Sequence, residues 1–115
     1  MSASAKDDRV YLEHIREAII RIESYTFGGK EAFLQDTLIQ DGVLRNLQTL
    51  AESTQRLSQA LTSSYPGVEW RAIAGFRNIL VHDYLGLDLE RVWGVVEYRI
   101  PSLKKAIENM LSRID

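Results

Sequence analysis

Apolar residues recur at intervals of three and four along most of this chain, the period of an amphipathic helix. Tyr11, Ile15, Ala18, Ile22 and Tyr25 form the first stripe and predict a helix from about Lys6 to Thr26. Gly28-Gly29 ends it, because glycine tolerates the left-handed backbone of a helix C-cap. A short helix is expected over Lys30 to Gln35. The stripe Val43, Leu47, Leu50, Leu57 and Leu61 then predicts a long helix reaching about Ser63. Thr37 to Gln40 has the spacing of a capping box for its start, and Asp36 is a competing N-cap one residue earlier. Gly42 inside this helix costs about 1 kcal/mol relative to alanine, which the length of the helix absorbs.

Ser63-Ser64-Tyr65-Pro66-Gly67 is the clearest loop. Beyond it a fourth helix is expected from roughly Val68 to His82 or Tyr84, with Trp70, Ile73, Arg77, Leu80 and Tyr84 down one side. Ile79, Leu80 and Val81 read as core. Gly86 closes that helix and Asp88 caps the last one, whose stripe is Leu89, Val92, Val96, Leu103, Ile107 and Leu111. Pro101 falls inside the stripe, which continues on both sides, so a kink is expected there and not a stop. No period-2 alternation is long enough for a strand. Short connections between long amphipathic helices predict an all-α fold, an up-and-down antiparallel bundle of about four to five helices. One domain spanning residues 1–115 is expected from the length.

Composition narrows the chemistry. There is no cysteine, which excludes disulfides, thiol nucleophiles, iron–sulfur clusters and cysteine-based zinc sites. Two histidines, His14 and His82, are too few for a self-contained transition-metal cage, so no cofactor is expected. No apolar run approaches the roughly 20 residues that span a bilayer. The segment Met1 to Asp8 lacks the hydrophobic stretch of a secretory signal. The expectation is a cytoplasmic protein without membrane association. A net charge of -2 gives no global attraction to nucleic acid, so any such role rests on a local site. His14 and the group Arg99, Lys104 and Lys105 read as helix surface. Asp7-Asp8 sits at a terminus and is a poor catalytic candidate. Gly28-Gly29-Lys30 lacks the frame of a phosphate loop.

One segment stands apart: Gly75-Phe76-Arg77-Asn78-Ile79-Leu80-Val81-His82-Asp83-Tyr84. It gathers a guanidinium, an amide, an imidazole and a phenol at the end of one helix. Arg77 and Tyr84 are two turns apart and share a face; Asn78 and His82, four apart, share a neighbouring one. Arg77 and His82 diverge by about 140° on an unbroken helix. If both serve one site, the helix loosens near His82 or the site is assembled from two chains. The chemistry these groups suit is metal-free RNA cleavage. An imidazole takes the proton of a ribose 2′-hydroxyl or gives one to the leaving 5′-oxygen. A guanidinium holds the phosphate and offsets its developing charge. Asn78 could orient either the phosphate or the histidine, and Tyr84 could add a hydrogen bond or stack a base. On composition and spacing alone a structural role, hydrogen bonding to neighbouring helices, is the favoured alternative.

The segment resembles the R-x4-H-x-Y signature of the HepT-like toxins within the HEPN superfamily of helical ribonucleases. Val68 to Asn78 is similar to that family's P-x-x-W-x-x-I-x-G-x-R-N approach, with Pro66 just upstream. Leu85 to Trp93 resembles its acidic-hydrophobic start of the final helix, and Ile100 to Leu103 its proline. Weaker similarity runs back through Ala51-Glu52-Ser53 to Asp36, with Ala51 where the family has a glycine. The resemblance implies a homodimer whose two signature segments face each other across a shared cleft. It implies Arg77 and His82 as the catalytic pair, with Asn78 in support. It also implies a toxin–antitoxin module in which an MntA-type nucleotidyltransferase transfers AMP from ATP to Tyr84 and silences RNA cleavage. The alternative, of a different class, is a non-catalytic helical partner that presents substrate to a nucleotidyltransferase.

Overall fold

The structure, a computed structural model, describes residues 5–83 and 86–114. They form helices α1 (Ala5–Tyr25), α2 (Lys30–Gln35), α3 (Thr37–Thr54), α4 (Gln59–Ser63), α5 (Trp70–His82), α6 (Leu89–Gly94) and α7 (Ile100–Arg113). A π-helical turn, Val95–Arg99, joins α6 to α7. No strand occurs among the described residues, and none of their helices is long and apolar enough to cross a membrane. The all-α bundle expected from the periodicity is the one that forms.

Its core lies between α1, α3 and α7. Leu12, Ile15, Ile19 and Ile22 of α1 are buried with Val43, Leu47 and Leu50 of α3 and Leu103, Ile107 and Met110 of α7. Each such aliphatic side chain contributes about 1.5–3 kcal/mol when buried, against about 0–1 kcal/mol for an exposed ion pair. Burial therefore holds the bundle. The helices run antiparallel: Arg9 Nη2 donates to the Ile114 carbonyl at 3.3 Å, and Lys104 Nζ reaches Glu23 at 3.1 Å. At Gly42 a Cβ would stand 3.0 Å from two ring carbons of Tyr25, so this glycine admits an aromatic ring from α1. Phe33 of α2 is fully buried and packs on Trp93 at 5.6 Å. Lys30 Nζ pairs with Glu90 at 2.7 Å. The hydrogen bond to Glu90, and then its charge, raise the pKa of Lys30.

One boundary differs from the sequence reading, and the structure decides the form of two others. The helix expected to reach Ser63 ends at Thr54, and α4 starts anew after Ser58. Ser58 caps α4 by accepting from Leu61 N at 3.2 Å, while its own N and Oγ donate to the two oxygens of Asp8 at 2.8 and 2.6 Å. Asp8, 4% exposed, is thus an anchor between α1 and α4. Leu57 stays buried through the break, so the apolar stripe carries no trace of it. At the start of α3 the competing cap prevails: Asp36 Oδ1 accepts from Leu38 N and Ile39 N. Gln40 turns back instead and donates to the carbonyls of Phe33 and Leu34 at the end of α2. The third lies at Pro101, where the helix continues without a stop, as expected. A proline has no N–H to offer the carbonyl four residues back, and the rod answers with the π-helical turn just upstream, where Ile100 N donates to Val95 O.

α5 starts at Trp70, whose indole N–H donates to the carbonyls of Thr62 and Tyr65. It leans on α3 and stands apart from α7 across a groove of about 650 Å³. Leu47, Leu50 and Leu103 floor that groove, and Ile73, Phe76 and Val95 wall it. Leu80 is the buried residue of α5. Ile79 is half-buried and Val81 is 38% exposed, which corrects their reading as core: α5 packs chiefly on α3, and its outward side is left open.

Candidate functional site

Of the four groups singled out in the sequence, the three among the described residues divide into an inner and an outer set. Arg77 lies at the edge of the face that α5 presents to α3. Its Nη2 donates to Glu52 Oε2 at 3.2 Å and its Nη1 to Asn78 Oδ1 at 3.3 Å. Gln48 Nε2 donates to the same Glu52 oxygen at 3.3 Å. The Arg77 side chain is 32% exposed, and its Nε is buried without a hydrogen-bond partner. Asn78 and His82 are exposed and share the opposite, outward side of the helix with Arg71 and Gly75. A Cβ at Gly75 would meet nothing within 4 Å, so that outward side is open.

α5 does not loosen near His82. It stays α-helical to that residue, and Asp83 N donates to Ile79 O at 2.9 Å to continue the ladder. The structure therefore brings Arg77 and Asn78 together but keeps the guanidinium and the imidazole on different faces of one chain. Gly86 N then donates to Asp83 O at 3.1 Å, and a Cβ on Gly86 would lie 2.8 Å from Asp83 Oδ1. α5 ends at His82, one of the two ends expected for it. Tyr84 itself lies outside the described residues.

Chemically, the inner set is a permanent cation on a rigid mount, still reachable from solvent. The outer set is a hydrogen-bonding amide one turn before an exposed imidazole, a side chain suited to general acid or base work. Glu52 and Gln48 went unnoticed in the sequence reading of the site. Glu52 precedes Arg77 by 25 residues on another helix, and no local spacing ties the two. His14 is exposed, with its ring 6.0 Å from that of Tyr11 in an edge contact, in keeping with a surface role.

Comparison with known proteins gives concordant matches. A model of the family described as "Ribonuclease HepT-like" matches residues 15–110. The chain is 37% identical over 114 residues to "Probable ribonuclease HepT" of Thermococcus cleftensis, covering 96% of this chain and 98% of that protein. It is 35% identical over 111 residues to a Methanocaldococcus jannaschii protein named "Gamma-glutamylcyclotransferase and putative RNase". There it covers 96% of this chain but spans only 50% of the relative. A third relative, a "Putative RNase" of Caldanaerobacter subterraneus, is 30% identical over 112 residues, 94% of this chain and 97% of the relative. No solved structure matches the chain.

Proposed function

Because the chain belongs to the family of HepT-like ribonucleases, we propose that it is a metal-independent RNA endonuclease. In this reading His82 moves the proton and Arg77 stabilises the phosphate. The ribose 2′-oxygen attacks the adjacent phosphorus while the bond from phosphorus to the 5′-oxygen breaks. His82 takes the 2′-hydroxyl proton or supplies the one the 5′-oxygen needs. Arg77 offsets the charge that builds on the non-bridging oxygens, and Asn78, hydrogen-bonded to Arg77, steadies the phosphate or the imidazole. The observation that carries the reading is a partly exposed guanidinium held in place on the same short helix that presents an exposed histidine.

The unbroken course of α5 favours a homodimer, in which the histidine of one protomer serves with the arginine of its partner. The open outward face carrying Gly75, Asn78 and His82 is the surface such pairing would use. The family resemblance supplies the rest of the proposal. The protein acts in the cytoplasm as the toxin of a two-component module, and an MntA-type nucleotidyltransferase antitoxin silences it by AMP transfer to Tyr84.

The test is RNA cleavage by purified protein, wild type against His82→Ala and Arg77→Ala, each with and without EDTA. Both variants should lose cleavage while keeping their stability within about 1–2 kcal/mol, as for partly exposed polar sites. The wild type should keep cleaving in EDTA. Folded variants that cleave at the wild-type rate would leave the alternative, a non-catalytic partner of a nucleotidyltransferase.

A further inference from the structure

We propose that Glu52, braced by Gln48, is the positioning residue of Arg77. The inference rests on the nuclease reading above and adds a residue to it from a different helix. An arginine on a half-open helix face has a long stem and many rotamers, and fixing it costs side-chain entropy. Here the fixing is done by a carboxylate held from two sides. Glu52 Oε2 accepts from Arg77 Nη2 at 3.2 Å and from Gln48 Nε2 at 3.3 Å. Gln48 stands one turn before Glu52 on α3, where such pairs meet. The neighbouring residues Leu47, Leu50, Ala51 and Ser53 are buried, so the clamp is mounted on a rigid part of the core.

The remaining contacts of Arg77 fit this role. Nη1 is steadied by Asn78 Oδ1, while Nε stays buried and unpartnered. The bond from Nη2 to Glu52 is the one that ties the guanidinium to another helix. Arginine has two N–H bonds on each terminal nitrogen, so one on Nη1 and one on Nη2 remain for phosphate oxygens. The clamp also carries a negative charge beside Arg77. That charge works against phosphate binding while the geometry it imposes works for the reaction.

These opposed effects make the proposal testable by steady-state kinetics of the full chain on bulk tRNA or a mixed-sequence single-stranded RNA, whichever the wild type cleaves. Glu52→Ala should lower kcat by about 10- to 100-fold, the scale of a misplaced catalytic group, with KM unchanged or lower. Glu52→Gln keeps an acceptor oxygen and should recover most of kcat. Gln48→Ala should give a smaller fall in kcat without a rise in KM, and it keeps the proposal open to test should Glu52→Ala not fold. In an Arg77→Ala background Glu52→Ala should add nothing, because the two act as one unit. A Glu52→Ala enzyme that is folded and turns over at the wild-type kcat or faster overturns the proposal, as does a Gln variant no better than Ala. If instead Arg77→Ala itself leaves cleavage intact, the nuclease reading fails first. Loss with Arg77→Ala but not with Glu52→Ala refutes the clamp alone.

Discussion

Arg77 and His82 leave one unbroken α-helix about 140° apart, the guanidinium gripped by Glu52 on α3 and the imidazole exposed on the far side. If both act on one phosphate, this divergence favours a site to which a second copy of the chain contributes one of the two groups.

Mixing the two inactive variants tests this directly. In a random mixture of Arg77→Ala and His82→Ala protomers, half of the dimers are mixed, and each mixed dimer has one intact composite site. About a quarter of wild-type cleavage should therefore return, given a closed twofold dimer with exchanging subunits. Sedimentation should report about twice the 13.1 kDa chain mass for the active species. A mixture as dead as its components would show that the pair does not act across protomers.

Tyr84 follows the end of α5 by two residues. In the proposed switch, an AMP adduct on its phenol adds a phosphodiester charge and a nucleoside. That charge should compete for Arg77 and repel an incoming RNA phosphate. Incubation with the cognate nucleotidyltransferase and ATP should add one or more units of about 329 Da, read by mass spectrometry. Tyr84→Phe should retain most cleavage and escape both the mass increase and the silencing. A Phe variant still modified and silenced places the acceptor elsewhere.

The tie between Asp8 and Ser58 should matter for stability and not for the chemistry. Two hydrogen bonds converge on a carboxylate that is 4% exposed. Asp8→Ala removes a charged acceptor and leaves the Ser58 N–H and hydroxyl buried, so urea unfolding should show a loss of about 1.5–3 kcal/mol. Adding Ser58→Ala to that background should cost less than Ser58→Ala alone, because the Oγ–Asp8 bond is already gone and only the cap on Leu61 N is left to lose. A loss within about 0.5 kcal/mol for Asp8→Ala, the range of ordinary surface changes, would refute the anchor.

Much of the architecture was legible before any coordinates. The stripes of α1, α3 and the last helix name residues that are buried, among them Ile15, Ile22, Leu47, Leu50, Val92 and Ile107. Asp88 caps α6 as expected, accepting from Glu90 N and Arg91 N. The signature helix was legible too, including the divergence of Arg77 and His82, because angular position on an α-helix follows from residue number alone.

The sequence by itself determined the helical period, the class of the fold, the polar groups on α5 and their angles about its axis. These are local properties, set by spacing along one element. Only the tertiary structure decided that Ile79 and Val81 are not core, since a stripe says which face is apolar and not which helix covers it. Only it decided the break before α4, where a carboxylate fifty positions away takes up the N–H and hydroxyl of Ser58. The same holds at the site: Glu52 reaches Arg77 because α3 and α5 cross there. A contact between helices depends on how they pack, and no periodicity within either one encodes it.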